Sequence, residues 1–474
     1  MDHTRLAALE ARVAADLEAV EIPPRDWLPE RGDGRNVSDV VVVGAGLSGL
    51  TIAFGLMRKG IRRLRIIDAA PEGLEGPWVT TARMRTLRSP KTLSGPDWGV
   101  PSLTYRAWHE AAYGEDHFRA LTRIPKHDYM AYLIWFKNVL GLPVENRTTL
   151  SAIAHDGELL RLTLRTDRGE EIALTRKLVL ATGISGAGAP IVPRAIREGL
   201  EPGDYAHSDS DFDCRTLAGK SVAVIGAAAS AFDFAVAALN ADAKSVTLLA
   251  RSAEMPVTEI LDWSNFPGFL DHFAELPDEW RLRFTDRMLA FRAPPTQEMY
   301  DRATGDPKFS MICGEDLAGA QKTGGGVTLT LNSGRTISAD ALLLGTGYGV
   351  DLLARPELAP HAPLVALWRD KYVPPEGLEH SAVLDYPYLG PAFELLEREP
   401  GTAPLLRHVH LFNNGAVPSL GPICNGVTGL KYGAPRLVAG ITRALFMADV
   451  STHYAALDRF DKAHFAPRAE HRAA

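Results

Sequence analysis

The sequence contains little cysteine. Cys214, Cys313 and Cys424 are the only cysteines among 474 residues, and no C-x-x-C pair occurs. A dithiol redox centre and a zinc knuckle both require paired cysteines, so neither is expected. Isolated thiols are typical of a reducing compartment, which predicts a cytoplasmic protein. His408 and His410 fall on one face of a predicted strand, but no third ligand accompanies them, so we expect no bound metal.

The sequence also lacks a membrane-spanning segment and an excess of positive charge. Its longest apolar run, from Val222 to Leu239, is interrupted by Asp233 and rich in alanine, which is typical of a strand, turn and helix. The N-terminus has no apolar core of the kind found in signal peptides. Acidic residues outnumber basic ones, 58 to 51, and give a net charge of −7. Neither nucleic acid nor a membrane is therefore an expected partner.

The strongest motif follows a run of valines. Residues Asp39 to Val43 form a predicted buried strand that leads directly into Gly44-Ala45-Gly46-Leu47-Ser48-Gly49 and a helix. In this G-x-G-x-x-G pattern the first glycine permits a tight turn, the second lets the backbone approach a pyrophosphate, and the third lets the helix pack closely on the strand. The helix N-terminus attracts the phosphate charge. Asp68 ends the next predicted strand, where it would accept hydrogen bonds from a ribose diol.

A degenerate copy of this motif begins at Ser221. The predicted strand Ser221 to Ile225 leads into Gly226-Ala227-Ala228-Ala229-Ser230-Ala231, where alanines replace the second and third glycines. The next predicted strand ends at Arg251-Ser252, where the first copy has an acid. An acid repels a 2′-phosphate, whereas an arginine binds one. The two copies therefore predict FAD at the first site and NADPH at the second. The alternative for Arg251 is a solvated surface charge.

Each copy is followed, later in the chain, by an apolar strand that ends in a Thr-Gly turn. These turns are Ala181-Thr182-Gly183 and Gly345-Thr346-Gly347-Tyr348. The internal repeat indicates two dinucleotide-binding units, and two such sites in one chain imply that NADPH reduces FAD. Since paired cysteines are lacking, the electrons are expected to pass to oxygen or to an external acceptor.

The order of these motifs resembles that of the class B flavoprotein monooxygenases, which include flavin-containing, Baeyer–Villiger and N-hydroxylating monooxygenases. The resemblance extends over roughly residues 38–450. Gly76-Pro77-Trp78 is similar to the family's Gly-Gly-x-Trp, with Pro77 in place of the second glycine. Gly203-Asp204-Tyr205-Ala206-His207-Ser208 is similar to the family fingerprint F-x-G-x-x-x-H-[ST], with Glu201 at the Phe position. The resemblance places Trp78 and His207 among the cofactor-binding residues.

The resemblance also implies an α/β fold with two Rossmann-like dinucleotide-binding domains, the NADPH domain being inserted into the FAD domain. We expect an N-terminal helical arm and linker at residues 1–37, the first part of the FAD domain at 38–212, the NADPH domain at 213–340 and the second part of the FAD domain at 341–474. The arm has an apolar stripe at helical spacing: Leu6, Leu9, Val13, Leu17 and Val20. This stripe predicts a helix packed on the body, with a homodimer contact as the alternative.

Two residues are candidates for catalysis beside the flavin. In flavin-containing monooxygenases an asparagine before a Pro-Lys pair lies near the reactive edge of the flavin, and the corresponding residue here is Arg88. A cation there would hold a peroxide anion or a substrate carboxylate. The alternative is a solvated loop, or one salt-bridged to an acid such as Glu75. Asn425 precedes the last long helix, predicted around Ala434 to Met447, whose N-terminus points at the flavin pyrimidine in this family.

The expected reaction is the transfer of one oxygen atom from O₂ to a small organic substrate through a flavin C4a-(hydro)peroxide, with consumption of NADPH. The oxygen goes to nitrogen or sulfur, or into a ketone as in a Baeyer–Villiger reaction, and the sequence leaves the substrate open. Two other functions remain open at this point. One is an NADPH-dependent flavin reductase or oxidase that transfers no oxygen, and the other is a flavin- or nucleotide-binding protein without catalysis.

Overall fold

The protein has an α/β fold built on two mainly parallel sheets, which confirms the predicted fold class. The computed structural model describes residues 1–30, 34–424 and 426–465. The helices are α1 His3–Ala19, α2 Leu47–Arg58, α3 Tyr105–Tyr113, α4 Glu115–Ala120, α5 Lys126–Val139, α6 Arg194–Gly199, α7 Ala229–Asn240, α8 Ile260–Ser264, α9 Pro267–His272, α10 Asp278–Ala290, α11 Gln297–Thr304, α12 Trp368–Lys371, α13 Val417–Leu420, α14 Val427–Ala448 and α15 Val450–Asp458. The strands are β1 Val37–Val43, β2 Leu64–Ile67, β3 Thr86–Pro90, β4 Arg123–Pro125, β5 Val144–Glu145, β6 Thr149–Asp156, β7 Leu159–Thr166, β8 Gly169–Leu180, β9 Gly188–Pro190, β10 Ala206–His207, β11 Ser221–Ile225, β12 Ser245–Ala250, β13 Phe309–Cys313, β14 Leu317–Thr323, β15 Gly326–Leu331, β16 Thr336–Ala339, β17 Ala341–Leu344, β18 Tyr348–Val350 and β19 Val409–Leu411.

The first sheet has the order β5-β2-β1-β8-β7-β6, and β19 also pairs with β8. Strand β1 lies between two parallel neighbours, with Val43 opposite Ile67 on one side and Leu180 on the other. All three carboxyl ends therefore meet at one edge of the sheet, where ligands bind in open α/β sheets. The turns that begin at Gly44, Asp68 and Ala181 lie side by side there.

The second sheet repeats this arrangement with the order β10-β17-β11-β12-β13. Its central strand β11 also has two parallel neighbours, with Ile225 opposite Leu249 and Leu344. The turns after β11, β12 and β17 therefore meet at one edge, as in the first sheet. We call the first sheet with α2 and α14 the first unit, and the second sheet with α7 and α11 the second unit.

A two-stranded ribbon connects the two units. The chain leaves the first unit through β9 and returns through β18, and these strands pair antiparallel with Tyr348 opposite Pro190. The hydroxyl of Thr346 donates a hydrogen bond to the carbonyl of Ile191. The ring of His207 packs edge-on against Tyr348 with 5.5 Å between centroids. The two segments that connect the units are thus hydrogen-bonded to each other.

Helices α9 and α10 lie within the segment predicted as the NADPH domain, yet they pack against elements of the first unit's core. Phe269 and Phe273 belong to the same apolar cluster as Val41 of β1. Arg281 donates a hydrogen bond to the carbonyl of Ser419, with 2.9 Å between Nη1 and the oxygen. The excursion, as we call the segment between β12 and α11, therefore leaves the second unit and packs on the first.

The N-terminal arm forms the predicted helix and packs on the body. Leu6, Leu9 and Val13 are buried on the inner face of α1, whereas Val20 follows the last helical residue and is exposed. The indole nitrogen of Trp135 donates to Glu10 on this helix. No helix among the described ranges is long and apolar enough to cross a bilayer.

The last long helix begins earlier than predicted. We expected it around Ala434 to Met447, but α14 runs from Val427 to Ala448 with Pro435 inside it. A proline is favoured in the first turn of a helix and costs a hydrogen bond further in, which placed the predicted start too late. Buried Leu430, Leu437 and Ile441 hold the helix on the core on both sides of the proline.

Candidate functional site

The first nucleotide loop is shaped by close backbone contacts. Gly44 has a φ of +99°, and a Cβ built on it would lie 2.5 Å from the carbonyl oxygen of Ala181. A Cβ on Gly49 would lie 1.7 Å from the carbonyl oxygen of Gly44. Gly46 is the N-cap of α2, and its Cα faces Gly76 of the Gly-Pro-Trp segment. The loop thus presents bare backbone at a helix N-terminus, which is the surface that a pyrophosphate needs.

Asp68 holds this loop from the end of β2. Its carboxylate accepts hydrogen bonds from the backbone N–H groups of Ala45 and Ala70, each at 2.7 Å. Burial raises the pKa of Asp68, and the neighbouring Glu75 raises it further against the effect of those hydrogen bonds. Glu75 is itself buried and accepts from the side-chain amide of Asn146 at 2.8 Å. Each Asp68 oxygen keeps a lone pair for the ribose hydroxyl that the sequence predicts.

Two unpartnered polar atoms lie behind the loop. The indole ring of Trp78 packs edge-on against Tyr129 with 4.9 Å between centroids. Among the described residues, neither the Trp78 nitrogen nor the Tyr129 hydroxyl has a hydrogen-bond partner, although both are buried. Such orphaned donors are rare in folded proteins and indicate a polar ligand or water. With the bare glycine loop beside them, these residues fit a bound flavin dinucleotide.

The Thr-Gly turn after β8 is tied to the C-terminal part of the chain. Asn413 is fully buried and donates from Nδ2 to the Thr182 hydroxyl at 3.1 Å. Its Oδ1 accepts from the N–H of Gly415. Gly183 has a φ of +76° and open space beside it. Asn425, the predicted flavin neighbour, lies outside the described residues.

The second nucleotide loop reproduces the first with one exchange. Gly226 has a φ of +122°, and a Cβ on it would lie 2.5 Å from the carbonyl oxygen of Gly345. A Cβ on Gly345 would lie 2.5 Å from the Cα of Ala231. The methyl group of Ala231 therefore has room because the residue that faces it, Gly345, has no side chain.

The start of α7 carries an additional contact. Ala228 is its N-cap, and the N–H of Ala229 donates to the carbonyl of Ala293 at 2.9 Å. Ala293 lies at the returning end of the excursion between β12 and α11. Ser230 is half-buried in the first turn of α7, as Ser48 is in the first turn of α2. The two serines occupy equivalent places in the two units.

Arg251 and Ser252 lie in the exposed turn after β12. The carbonyl of Ser252 accepts from the N–H of Gly314 at 3.0 Å, which fixes the turn. Within the described part of the chain no carboxylate lies at ion-pair distance from Arg251, so its guanidinium is free. Gly347, in the turn after β17, has a φ of +82° with open space around it. Three turns of the second unit thus face one edge, and the exposed Arg251 lies in one of them.

Arg88 does not lie free in a solvated loop. Its Nη2 is 3.0 Å from Oδ2 of Asp233, so the segment is salt-bridged as the alternative foresaw, but to Asp233 rather than to Glu75. Asp233 is almost fully buried on α7, and burial raises its pKa to about 6 against the opposing effect of Arg88, Lys126 and Arg83. Three cations therefore surround one carboxylate where the two units meet. The signal in the sequence was an acid interrupting an apolar helix.

Replacing Asp233 with asparagine is expected to change the pH dependence of stability. The pKa of Asp233 in the folded chain is about 6, above the ordinary value near 3.9. Between these values the folded state binds more protons than the unfolded state, so this group lowers the free energy of unfolding as pH rises from 4 to 6. Urea denaturation at pH 4.5 and pH 7 measures the free energy of unfolding of the parent and of Asp233→Asn. Relative to the parent, the variant should be more stable at pH 7 than at pH 4.5. The same difference in free energy at both pH values would contradict the raised pKa of Asp233.

A cavity of about 520 Å³ opens at the same junction. Arg83 and Lys126 line it from the side of the first unit, and Asp211, Phe212 and Cys214 line it from the side of the second. Burial lowers the pKa of Lys126, and the nearby Arg83 lowers it further. The cavity has both polar and apolar walls and lies next to the Arg88–Asp233 pair, so it is a candidate entry for a small substrate.

The fold and the two loops together define a flavoprotein with two dinucleotide sites. The family described as pyridine nucleotide-disulphide oxidoreductase matches residues 38–262. The FAD-dependent urate hydroxylase of Xanthomonas campestris pv. campestris is 36% identical over 461 residues, which is 97% of both chains. The chain therefore belongs to the class B flavoprotein monooxygenases that its motifs resemble. It is a flavin-dependent monooxygenase, and neither the reductase nor the non-catalytic alternative is favoured.

Solved structures agree with this fold. The ornithine hydroxylase of Pseudomonas aeruginosa superposes with a TM-score of 0.66 at 18% identity, covering 86% of this chain and 100% of that one. An ornithine N-hydroxylase of Kutzneria sp. 744, solved with reduced FAD, NADP⁺ and L-ornithine, has a TM-score of 0.67 at 16% identity, with 86% and 99% coverage. At these identities the likeness concerns the fold.

Proposed function

We propose that this monooxygenase hydroxylates urate or a closely related planar anion. The observation that carries the proposal is the 36% identity with a urate hydroxylase along 97% of both chains. The charges at the junction support it, because Arg83, Arg88 and Lys126 surround the single carboxylate of Asp233. Urate is an anion at neutral pH, and an anion gains from such an excess of positive charge in a partly buried site.

The roles of the nucleotide loops are part of the proposal. The loop from Gly44 to Gly49 holds the FAD pyrophosphate and Asp68 its ribose, while Trp78, Thr182 and Gly183 line the flavin site. The loop with Gly226, Ala228 and Ser230 holds the NADPH pyrophosphate, and Arg251 and Ser252 hold its 2′-phosphate. His207, Thr346 and Gly347 complete that site. The second unit, which lies between β9 and β18 along the chain, then forms the NADPH domain without helices α9 and α10, so its ends differ from the expected 213 and 340. When bound, FAD supplies the transfer of electrons from NADPH to oxygen.

Arg88 and Asn425 are the proposed catalytic residues. When no substrate is present, the carboxylate of Asp233 holds the Arg88 guanidinium in position. When the substrate binds, the guanidinium pairs with the substrate anion instead. Asn425 precedes α14, whose N-terminal dipole favours negative charge beside it. The overall reaction then balances as urate, O₂, NADPH and a proton giving a hydroxylated product, NADP⁺ and water.

Substrate-dependent NADPH oxidation tests the proposal. Urate should accelerate NADPH consumption by the holoenzyme and should itself disappear, while ornithine and lysine should have no effect. Arg88→Met should raise the KM for urate by about 10-fold or more, since a charge-assisted contact is lost. The rate of flavin reduction by NADPH alone should stay the same. Stimulation by ornithine instead of urate would overturn the assignment.

The location and the oligomeric state are proposed on separate grounds. The cysteines of the chain are unpaired, which supports a cytoplasmic location. Helix α15 has no buried residue, and Val450, Tyr454 and Leu457 form an exposed apolar stripe on it. A short helix with an uncovered apolar face gains stability by packing, which supports a homodimer through α15. Light scattering of the parent and of Tyr454→Glu tests this: a monomeric parent would contradict it.

A further inference from the structure

Arg83 lies at the point where the first unit contacts the second away from the ribbon. The segment that carries it leads into β3, and Leu87 of β3 is buried in the same cluster as Phe54 of α2. Arg83 therefore belongs to the first unit by packing. Its guanidinium, however, reaches across to the second unit.

The guanidinium is held by four backbone carbonyls. Nη1 donates to the carbonyl of Thr81 at 2.8 Å and to that of Ser208 at 3.2 Å. Nη2 donates to the carbonyls of Ser210 at 2.8 Å and Phe212 at 3.2 Å. Three of these four acceptors lie in the stretch that follows β10, the edge strand of the second sheet. One side chain thus fixes the course of five consecutive residues of the other unit.

The same guanidinium also rests on α7. Its carbon lies 4.2 Å from the ring centroid of Phe234, which is within the range of a cation–π contact. Phe234 is buried one residue beyond Asp233, on the helix whose N-terminus closes the second nucleotide loop. Arg83 therefore contacts two parts of the second unit at once, the stretch 208–212 and the nucleotide-binding helix.

Only arginine suits this position. Its planar fork presents donors in several directions in one plane and leaves its faces free for an aromatic ring, whereas a lysine ammonium is a single compact point. Backbone carbonyls in the stretch 208–212 would lose their partners if the fork were removed. The charge alone would not replace the geometry.

We propose that Arg83 is a positioning residue that sets the orientation of the second unit toward the first, and with it the approach of NADPH to the flavin. Interfaces between units of one chain allow relative motion by default. The ribbon of β9 and β18 joins the units at one place, and Arg83 fixes them at a second place beside the nucleotide helix. Without Arg83 each cofactor still binds to its own loop, but the nicotinamide reaches the flavin less often in a reactive geometry.

Three variants test this proposal in the holoenzyme: Arg83→Lys, Arg83→Met and the control Arg85→Gln. Arg85 lies in the same segment and also reaches the second unit, at 3.0 Å from Glu298 of α11, but its side chain is 52% exposed. Exposed ion pairs contribute little. The control therefore removes a cation and a cross-unit contact without removing the fork.

Anaerobic reduction by NADPH is the first readout. A misplacement of about 1 Å costs about 100-fold in rate, so both Arg83 variants should be reduced at saturating NADPH about 10- to 100-fold more slowly than the parent. The Kd for NADP⁺ should change less than about 3-fold, since the nucleotide contacts remain. Reduction by dithionite and reduction of Arg85→Gln by NADPH should match the parent.

Hydrogen exchange of the protein without cofactors is the second readout. Backbone amides from 208 to 214 should exchange faster in Arg83→Lys and Arg83→Met, while those in α2 should not. The proposal is overturned if both Arg83 variants are reduced at the parent's rate, if Arg85→Gln slows reduction equally, or if exchange is unchanged at 208–214. If Arg83→Met fails to fold, Arg83→Lys keeps the charge and decides the question alone. A loss of monooxygenation with flavin reduction at the parent's rate would likewise overturn this proposal and would assign Arg83 to the binding of the proposed substrate.

Discussion

Replacing Gly49 with alanine is expected to abolish FAD binding. The added methyl group would lie 1.7 Å from the carbonyl oxygen of Gly44, a contact that no side-chain rotation relieves. Helix α2 would have to move away from β1 and take its N-terminus away from the pyrophosphate position. Strain of this kind costs about 4 kcal/mol or more, so less than about one-tenth of the purified variant should carry flavin. The ratio of flavin to protein absorbance measures it.

Ala231→Gly is the matched control for this variant. It creates the missing glycine in the second loop, where Gly345 already leaves room for a methyl group. It should cost about 1 kcal/mol through helix propensity and leave the flavin content unchanged. If Gly49→Ala binds FAD like the parent, the close packing of α2 on the first loop is not required for FAD binding.

Replacing Arg251 with alanine is expected to remove the preference for NADPH. Its guanidinium is exposed after β12 and free of ion pairs with the described residues, and we propose that it binds the adenosine 2′-phosphate. A charge-assisted contact contributes about 1.5–3 kcal/mol, which corresponds to a 10- to 100-fold increase in the KM for NADPH. The KM for NADH should change less than about 2-fold, because NADH has no 2′-phosphate. Initial rates with both nucleotides measure the change.

Arg215→Ala provides the control for charge. Arg215 is an exposed cation of the same unit, bound to Asp213 at 2.8 Å, and its loss changes the net charge equally. Neither nucleotide should be affected. An equal increase in the KM for NADPH and for NADH in Arg251→Ala would mean that Arg251 stabilises the fold. Unchanged KM values would mean that Arg251 is a solvated surface charge, the alternative that the sequence left open.

The nucleotide loops could be predicted from the sequence because their motifs are marked within each segment. Gly49 is required by the carbonyl of the nearby Gly44, and Gly44 is required by the carbonyl of Ala181, at a strand end that the repeated Thr-Gly turn marks. The exchange between Ala231 and Gly345 is different, because the two residues come together only when β11 and β17 pair. A degenerate motif was visible, but the reason that it is tolerated was not.

The surroundings of Arg88 and Arg83 could not be predicted from their own segment. Arg88 and Asp233 are 145 residues apart, and their pairing depends on how the two units meet. The sequence shows two unusual features, the many cations before Lys91 and the acid inside an apolar helix. Their spacing in the sequence does not indicate that they contact each other, because the contact depends on tertiary packing.

Isotope labelling tests the proposed oxygen transfer to urate most directly. The holoenzyme is supplied with NADPH, urate and ¹⁸O₂, and the product is analysed by mass spectrometry while NADPH consumption is followed. We predict one ¹⁸O atom in each product molecule and one NADPH consumed for each urate converted. Unchanged urate, with hydrogen peroxide accounting for all of the NADPH, would contradict the claim.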